Sequence, residues 1–159
     1  MKFEWLCERL NLDIDYVKSC EGLLPASKFA VDAYVNFVGS KSLLEAVASS
    51  LTEIYAPAIH AERISGLSKH YEWADDYALA YFKKRIGQAR KDEEFGREWV
   101  INNAVTRDDQ DAVLGAVKFK TEVLWAQLDA LYYAYVDPGF IPPGAFIPEG
   151  FNGKKWAEQ

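Results

Sequence analysis

SLLEAVASSLTEIYAPAIHAERI, residues 42–64, is the stretch on which the fold turns. Ser42 followed three positions later by Glu45 is a capping-box arrangement, in which hydroxyl and carboxylate satisfy each other's backbone N–H groups at a helix start. Leu44, Val47, Leu51, Ile54 and Ile59 then recur at helical intervals, so the spacing predicts one helix from residue 42 to about residue 65. Pro57 has no N–H to donate and is expected to bend it. Around the bend, polar groups of TEIYAPAIHAER interleave with apolar ones, the kind of local conflict at which packing and function compete.

Working outward, Gly39, Pro57, Gly66, Gly87, Gly96 and Gly115 alone interrupt residues 26–136, a stretch rich in helix formers. Upstream, Pro25 precedes two i, i+4 rows, Phe29, Ala33, Phe37 and Ala30, Tyr34, Val38. They predict a helix over 26–38 ended by Gly39, with an apolar face wide enough to be buried on more than one side. Downstream, a helix is expected from Trp73 to the middle nineties, carrying Tyr77, Tyr81, Arg85 and Gln88 on one row and weakened by Gly87 and Gly96. Thr106 and Asp109 cap another, along which Val113, Val117, Lys120, Leu124, Leu128 and Leu131 trace an apolar stripe to about Val136. FEWLCERL and a segment capped by Asn11 or Asp13 add two short pieces. No alternating run long enough for a sheet occurs, so the reading is an all-α bundle over 1–136.

Residues 137–159 form a separate, proline-rich C-terminal extension. Asp137-Pro138-Gly139 stops the last helix, and Phe-Ile-Pro occurs twice, six positions apart. Phe140, Ile141, Phe146 and Ile147 favour packing across the bundle or a neighbouring subunit, with a loose tail or a docking peptide as the alternatives.

A chain of 159 residues that is 50% hydrophobic and 14% aromatic can bury one core, which argues against both a two-domain enzyme and intrinsic disorder. A net charge of -6 argues against non-specific binding to nucleic acid or to an anionic membrane. No leader-like or membrane-length apolar run is present, so a soluble, cytoplasmic protein is expected. Cys7 and Cys20 lack partners for a zinc set and read as small hydrophobes, a disulfide or reactive thiol being the alternative. His60 and His70 are the only histidines, no metal-ligand motif occurs, and phosphate-cradling and dinucleotide motifs are missing. Cofactor-free chemistry or plain binding remains.

Candidate residues are polar groups on apolar faces. On a continuous helix Glu53, His60 and Arg63 face one volume. They read either as an ion-pair network inside a bundle or as a proton-exchanging His60 oriented by Glu53. Arg85, one turn beyond Tyr81, offers a planar fork to a carboxylate, or else bridges Asp76, Glu93 or Glu94 at the surface. Lys120 sits among Val113, Ala116, Val117, Val123 and Leu124. Its ammonium either snorkels to water or points inward, where only negative charge offsets the desolvation. Tyr34 reads as a core aromatic or as a phenol in the same volume, and Lys28 as a solvent-facing residue or a further cation. Convergence of His60, Arg63, Arg85 and Lys120 implies a small polycarboxylate ligand.

FAVDAYVNF at 29–37, SSLTEIYAPAIHAER at 49–63, HYEW at 70–73, YFKKRIGQARKDEEFG at 81–96 and VKFKTEVLWAQLDALYYAY at 117–135 together resemble the pyrroloquinoline-quinone synthase C family of the haem-oxygenase-like, TENA-like superfamily. The resemblance implies an incomplete haem-oxygenase-like helical bundle. It also implies ring closure and oxidation of a polycarboxylate quinone precursor by molecular oxygen, without metal or added cofactor, pyrroloquinoline quinone being the product or bound ligand. By matching motif it places Tyr34, Thr52, Glu53, His60, Arg63, Tyr81, Arg85 and Lys120 around that pocket: His60 toward oxygen, Tyr81 donating a hydrogen bond, and Arg63, Arg85 and Lys120 holding carboxylates. Lys28 stands where the family commonly has arginine, and Phe95 where some members have histidine. Family members carry further helices ahead of the matched region, so the chain reads as an N-terminally truncated member. Homo-oligomerisation or a separate chain is expected to supply the missing helices; otherwise a noncatalytic binding or structural protein remains.

Overall fold

The computed structural model describes residues 4–137, apart from the side chain of Trp5. These residues build an all-α fold: α1 (Glu4–Arg9), α2 (Ile14–Ser19), α3 (Pro25–Ser40), α4 (Leu43–Ser49), a 3₁₀ turn (Ser50–Tyr55), α5 (Ala56–His70), α6 (Asp76–Asn103) and α7 (Arg107–Tyr135). The extension and its Phe-Ile-Pro repeats lie outside the described residues, Asp137 excepted.

The expected caps form. Ser42 Oγ accepts from Glu45 N–H at 3.2 Å while Glu45 Oε2 accepts from Ser42 N–H at 3.1 Å, closing the box that starts α4. Thr106 and Asp109 do the same for α7. Asp13, not Asn11, caps α2 through Asp15 and Tyr16 N–H.

The single helix expected over 42–65 is instead α4, the 3₁₀ turn and α5, which runs on to His70. Local hydrogen bonding explains the break. Ser49 Oγ and Ser50 Oγ donate to Ala46 and Val47 C=O, both at 2.7 Å, competing with the α-helical ladder. Pro57 cannot donate to Glu53 C=O, which takes the Ala56 N–H instead, a three-residue bond that tightens the turn. Pro57 therefore opens α5 rather than bending a longer helix. Elsewhere the C-terminal limits shift outward: α3 passes through Gly39 to Ser40, and α6 passes through Gly87 and Gly96 to Asn103, although α6 starts at Asp76, behind the Asp75 cap, rather than at Trp73. Burial along α6 outweighs the roughly 1 kcal/mol that each interior glycine costs.

Helix α7 packs on α3 and α4, α6 on α5 and α4, and the 3₁₀ turn touches α5, α6 and α7. The core forms where α4, α6 and α7 meet at Ala48, Val100 and Ala116, ringed by Phe37, Leu44, Val47 and Trp99. Alanines at these crossings let the backbones approach closely, and Phe37 stacks on Phe119 with centroids 4.3 Å apart. Helix α1 is tied to the start of α6: Tyr77 OH donates to Glu8 at 2.8 Å, and Arg9 pairs with Asp75 at 2.6 Å. Cys7 is buried there, as a small hydrophobe should be. Cys20 is not; it is exposed in a left-handed conformation at the end of α2, and both thiols are free.

Two helices keep an uncovered apolar face among the described residues. Val31, Val35 and Val38 on α3 are exposed, although Ala30 behind them is buried. On α7 the stripe read from sequence faces inward only as far as Leu124; Leu128 and Leu131 are exposed.

Candidate functional site

The 3₁₀ turn carries Thr52 and Glu53 against α6 and α7, and the charged side chains gather around Glu53. Arg85 Nη2 of α6 lies 3.5 Å from Glu53 Oε2. From α7, Lys120 places its Nζ 3.3 Å from the centroid of the Tyr34 ring on α3, a cation–π contact. Tyr34 OH is 3.2 Å from Ser49 Oγ. Since Ser49 uses its proton on Ala46 C=O, the phenol is the donor of that bond. Ser49 is fully buried and holds the tyrosine in place.

His60, one turn into α5, sets its ring 5.9 Å from that of Phe82 on α6. Arg63 places its guanidinium carbon 5.3 Å from the same ring, and Tyr81 meets it edge-on at 5.3 Å. Phe82 thus positions three of the candidate residues. Sequence reasoning missed it, although its place next to Tyr81 on an inward row was the available signal. Beside it, Tyr81, Lys84, Arg85 and Gln88 line a cleft of about 330 Å³.

His60 Nδ1 is buried without a hydrogen-bond partner. Burial holds the imidazole pKa below its ordinary value, the Arg63 and Arg85 charges push it the same way, and Glu53 opposes them. Burial likewise lowers the Lys120 pKa against the opposing pull of Glu53. Both groups respond to Glu53, so His60, Arg85 and Lys120 share one electrostatic neighbourhood.

Not every expectation survives. Glu53 pairs with Arg85 rather than holding His60 or neutralising Arg63. At three residues per turn, the 3₁₀ segment rotates Glu53 away from the register that a continuous α-helix would give. Two of the three surface partners considered for Arg85 are engaged elsewhere, Asp76 with Lys83 and Glu93 with Arg97. Thr52 is half-buried on the turn, Lys28 is exposed, and Phe95 is exposed on α6. Among the described residues no group of three or more His, Cys, Asp or Glu side chains could hold a metal ion, and no helix is long and apolar enough to cross a membrane.

The family model described as TENA/THI-4/PQQC matches residues 2–130. The chain belongs to the TENA/THI-4/PQQC family. Within it, the chain is 61% identical over 141 residues to a pyrroloquinoline-quinone synthase of Rhizobium meliloti, a match covering 89% of this chain and 55% of that protein. It is 55% identical over 144 residues to the synthase of Granulibacter bethesdensis, covering 91% and 56%. The synthase of Rhizobium rhizogenes is 57% identical over 150 residues, covering 94% and 59%. This family member therefore spans little more than half the length of these relatives.

Proposed function

We propose that the protein is a pyrroloquinoline-quinone-synthase-like enzyme, closing a ring in a polycarboxylate quinone precursor and oxidising it with molecular oxygen without metal or added cofactor. One observation carries the reading: in a chain of net charge -6, the guanidinium of Arg85 lies 3.5 Å from the Glu53 carboxylate, the same carboxylate acts through space on the ammonium of Lys120 over the Tyr34 ring, Arg63 lies over Phe82, and Lys84 lines the cleft with Arg85. Cations gathered around one acid are undercompensated, and a multiply charged anion completes the balance. The identity to named synthases selects which anion.

In this proposal Arg63, Arg85 and Lys120 hold carboxylates, and Thr52, Tyr34 and Tyr81 line the pocket, Tyr81 donating a hydrogen bond. His60 exchanges the proton, because an imidazole kept neutral with a free Nδ1 is ready to act as a base. Glu53 anchors Arg85 and tunes His60 through space. A haem-oxygenase-like arrangement and cytoplasmic residence belong to the same proposal. So does a second copy of the chain packed on the exposed Val31, Val35 and Val38 face of α3, a patch of the kind that obligate interfaces cover.

The test is titration of the purified protein with pyrroloquinoline quinone, followed by its absorbance. Saturable binding abolished in folded Arg85→Ala supports the clamp, and unchanged binding in separate Arg63, Arg85 and Lys120 substitutions rejects it. Oxygen uptake with the precursor that disappears in His60→Ala separates an enzyme from a binder. A noncatalytic binding protein would instead bind the quinone and consume no oxygen.

A further inference from the structure

Four contacts between a cation and a ring face occur among the described residues, and they are of two kinds. Arg9 over Tyr77 also holds Asp75 at 2.6 Å, and Lys41 over Phe37 also holds Glu45 at 3.2 Å. Arg63 over Phe82 and Lys120 over Tyr34 have no carboxylate within 4.0 Å among the described residues. The two cations left with a ring alone are the two that belong to the site.

Both rings are fixed by the frame. Phe82 is buried, with Tyr81 edge-on to it and the His60 ring beside it. Tyr34 donates its phenolic proton to Ser49, which is fully buried on α4. Glu53, the acid of this neighbourhood, is engaged by Arg85. A ring face offsets part of a cation's charge through its quadrupole without being a carboxylate. An incoming carboxylate therefore finds Arg63 and Lys120 placed but uncommitted, whereas at Arg85 it must share the donors with Glu53. Two long side chains already in place also reduce the ordering cost of binding.

We infer that Phe82 and Tyr34 are positioning residues, their ring faces keeping Arg63 and Lys120 off every acid until a carboxylate-bearing ligand engages both cations. The inference rests on the polycarboxylate pocket proposed above and deepens it. It gives Phe82, which carries no polar atom, a part in anion recognition.

Binding of pyrroloquinoline quinone to the full chain, followed by absorbance, tests both seats. Phe82→Leu should weaken it about fivefold, the worth of one cation–ring contact, and Phe82→Tyr should keep it within about twofold of the unsubstituted protein. With Arg63→Gln already made, Phe82→Leu should cost almost no further affinity, because the ring then has no cation to hold. Tyr34→Leu should behave in the same way toward Lys120→Gln. Equal losses with and without the cation, or a Phe82→Tyr variant as weak as Phe82→Leu, make the rings packing residues and overturn the inference.

A second measurement needs no quinone, so it separates failure of the seat from failure of the proposed function. His60 titrates in the NMR spectrum beside exposed His70 as the reference. The charges facing it are Arg63 from its own helix, Arg85 from α6 and Glu53 from the 3₁₀ turn, and the two arginines lower its pKa. Phe82→Leu should release Arg63 and raise the His60 pKa toward its ordinary value, and Phe82→Tyr should leave it in place. In the Arg63→Gln background most of that rise should vanish. These shifts in a protein that binds no quinone would remove the proposed function and leave the Phe82 seat standing. No rise in Phe82→Leu, or a rise undiminished without Arg63, sinks the seat whatever the protein binds.

Discussion

On α7 a single turn separates Ala116, sealed against Ala48 and Val100, from Lys120, which shares the Glu53 neighbourhood with Arg85 and His60. The two regions share α6 and α7 and use opposite physics. At the alanine crossing, stability comes from exclusion: side chains small enough for backbones to touch, with aromatics stacked around the rim. At Glu53 the helices bring together charges that none of them would choose to bury, and an imidazole nitrogen with no partner. The first region makes a rigid frame and the second spends part of that rigidity, the division expected where a fold holds a site.

The sharpest way to break the contrast is to overfill the frame. Ala48→Leu puts a branched side chain where nothing is exposed, and it should destabilise the protein by about 3 kcal/mol, read from denaturant unfolding. A loss under about 1 kcal/mol would mean that the crossing is loosely packed and that the site has no stiff support.

Next comes the charged region, where stability and binding should part company. Arg85 and Glu53 are both partly solvent-exposed, so Arg85→Ala should cost less than about 1 kcal/mol of stability. Its affinity for pyrroloquinoline quinone should fall at least about tenfold, since it loses a charged donor to a carboxylate. Glu53→Gln should move binding the other way by a few-fold, because it frees Arg85 and deletes the one acid competing with the ligand. A drop in both variants would show that the pair works as a structural tie rather than as a clamp.

Frame and site were not equally readable from sequence. Caps at Ser42 and Thr106 follow from nearest-neighbour chemistry, and the helices read over 26–38 and from Thr106 to about Val136 exist within a few residues, whereas the one started at Ser42 stops at Ser49. The 3₁₀ turn escaped because it depends on two serine hydroxyls choosing backbone carbonyls, which spacing does not reveal. That one miss propagated: it moved Glu53 out of register with His60 and onto Arg85, a partner 32 residues away that no local pattern identifies. Phe82 was missed for a related reason, since its importance lies in what α5 lays against it. Residue types at the site were legible; their pairing was tertiary.

A pH titration sharpens the same comparison with a smaller effect. His60 is held below its ordinary value of 6.5 by burial and by Arg63 and Arg85. Between that value and the lowered one, the unfolded chain binds more protons than the folded chain, so stability falls as pH drops through this window and is flat above it with respect to this group. A polyanion beside His60 reverses the shift, so its binding takes up a proton and tightens as pH falls, by at most about tenfold per pH unit for one group. In His60→Gln both slopes should flatten. Slopes retained in that variant would assign them to another residue and leave the free Nδ1 without a role.

The smallest effects test whether the frame owes anything to its surface charges. Ser42→Ala removes the acceptor for Glu45 N–H and the mutual bond with the Glu45 carboxylate, whose pKa is lowered chiefly by the serine hydroxyl. Loss of such a cap should cost about 1 kcal/mol. Lys118 and Glu122, 3.7 Å apart and both well exposed one turn along α7, should contribute only about 0.3 kcal/mol, erased by added salt. The cap outweighs the ion pair because it satisfies backbone groups that the helix start leaves open, whereas water serves Lys118 and Glu122 almost as well as they serve each other. Equal losses from the two changes would mean that charge, rather than backbone satisfaction and packing, supports the apolar region too, and the contrast between the two ends of these helices would dissolve.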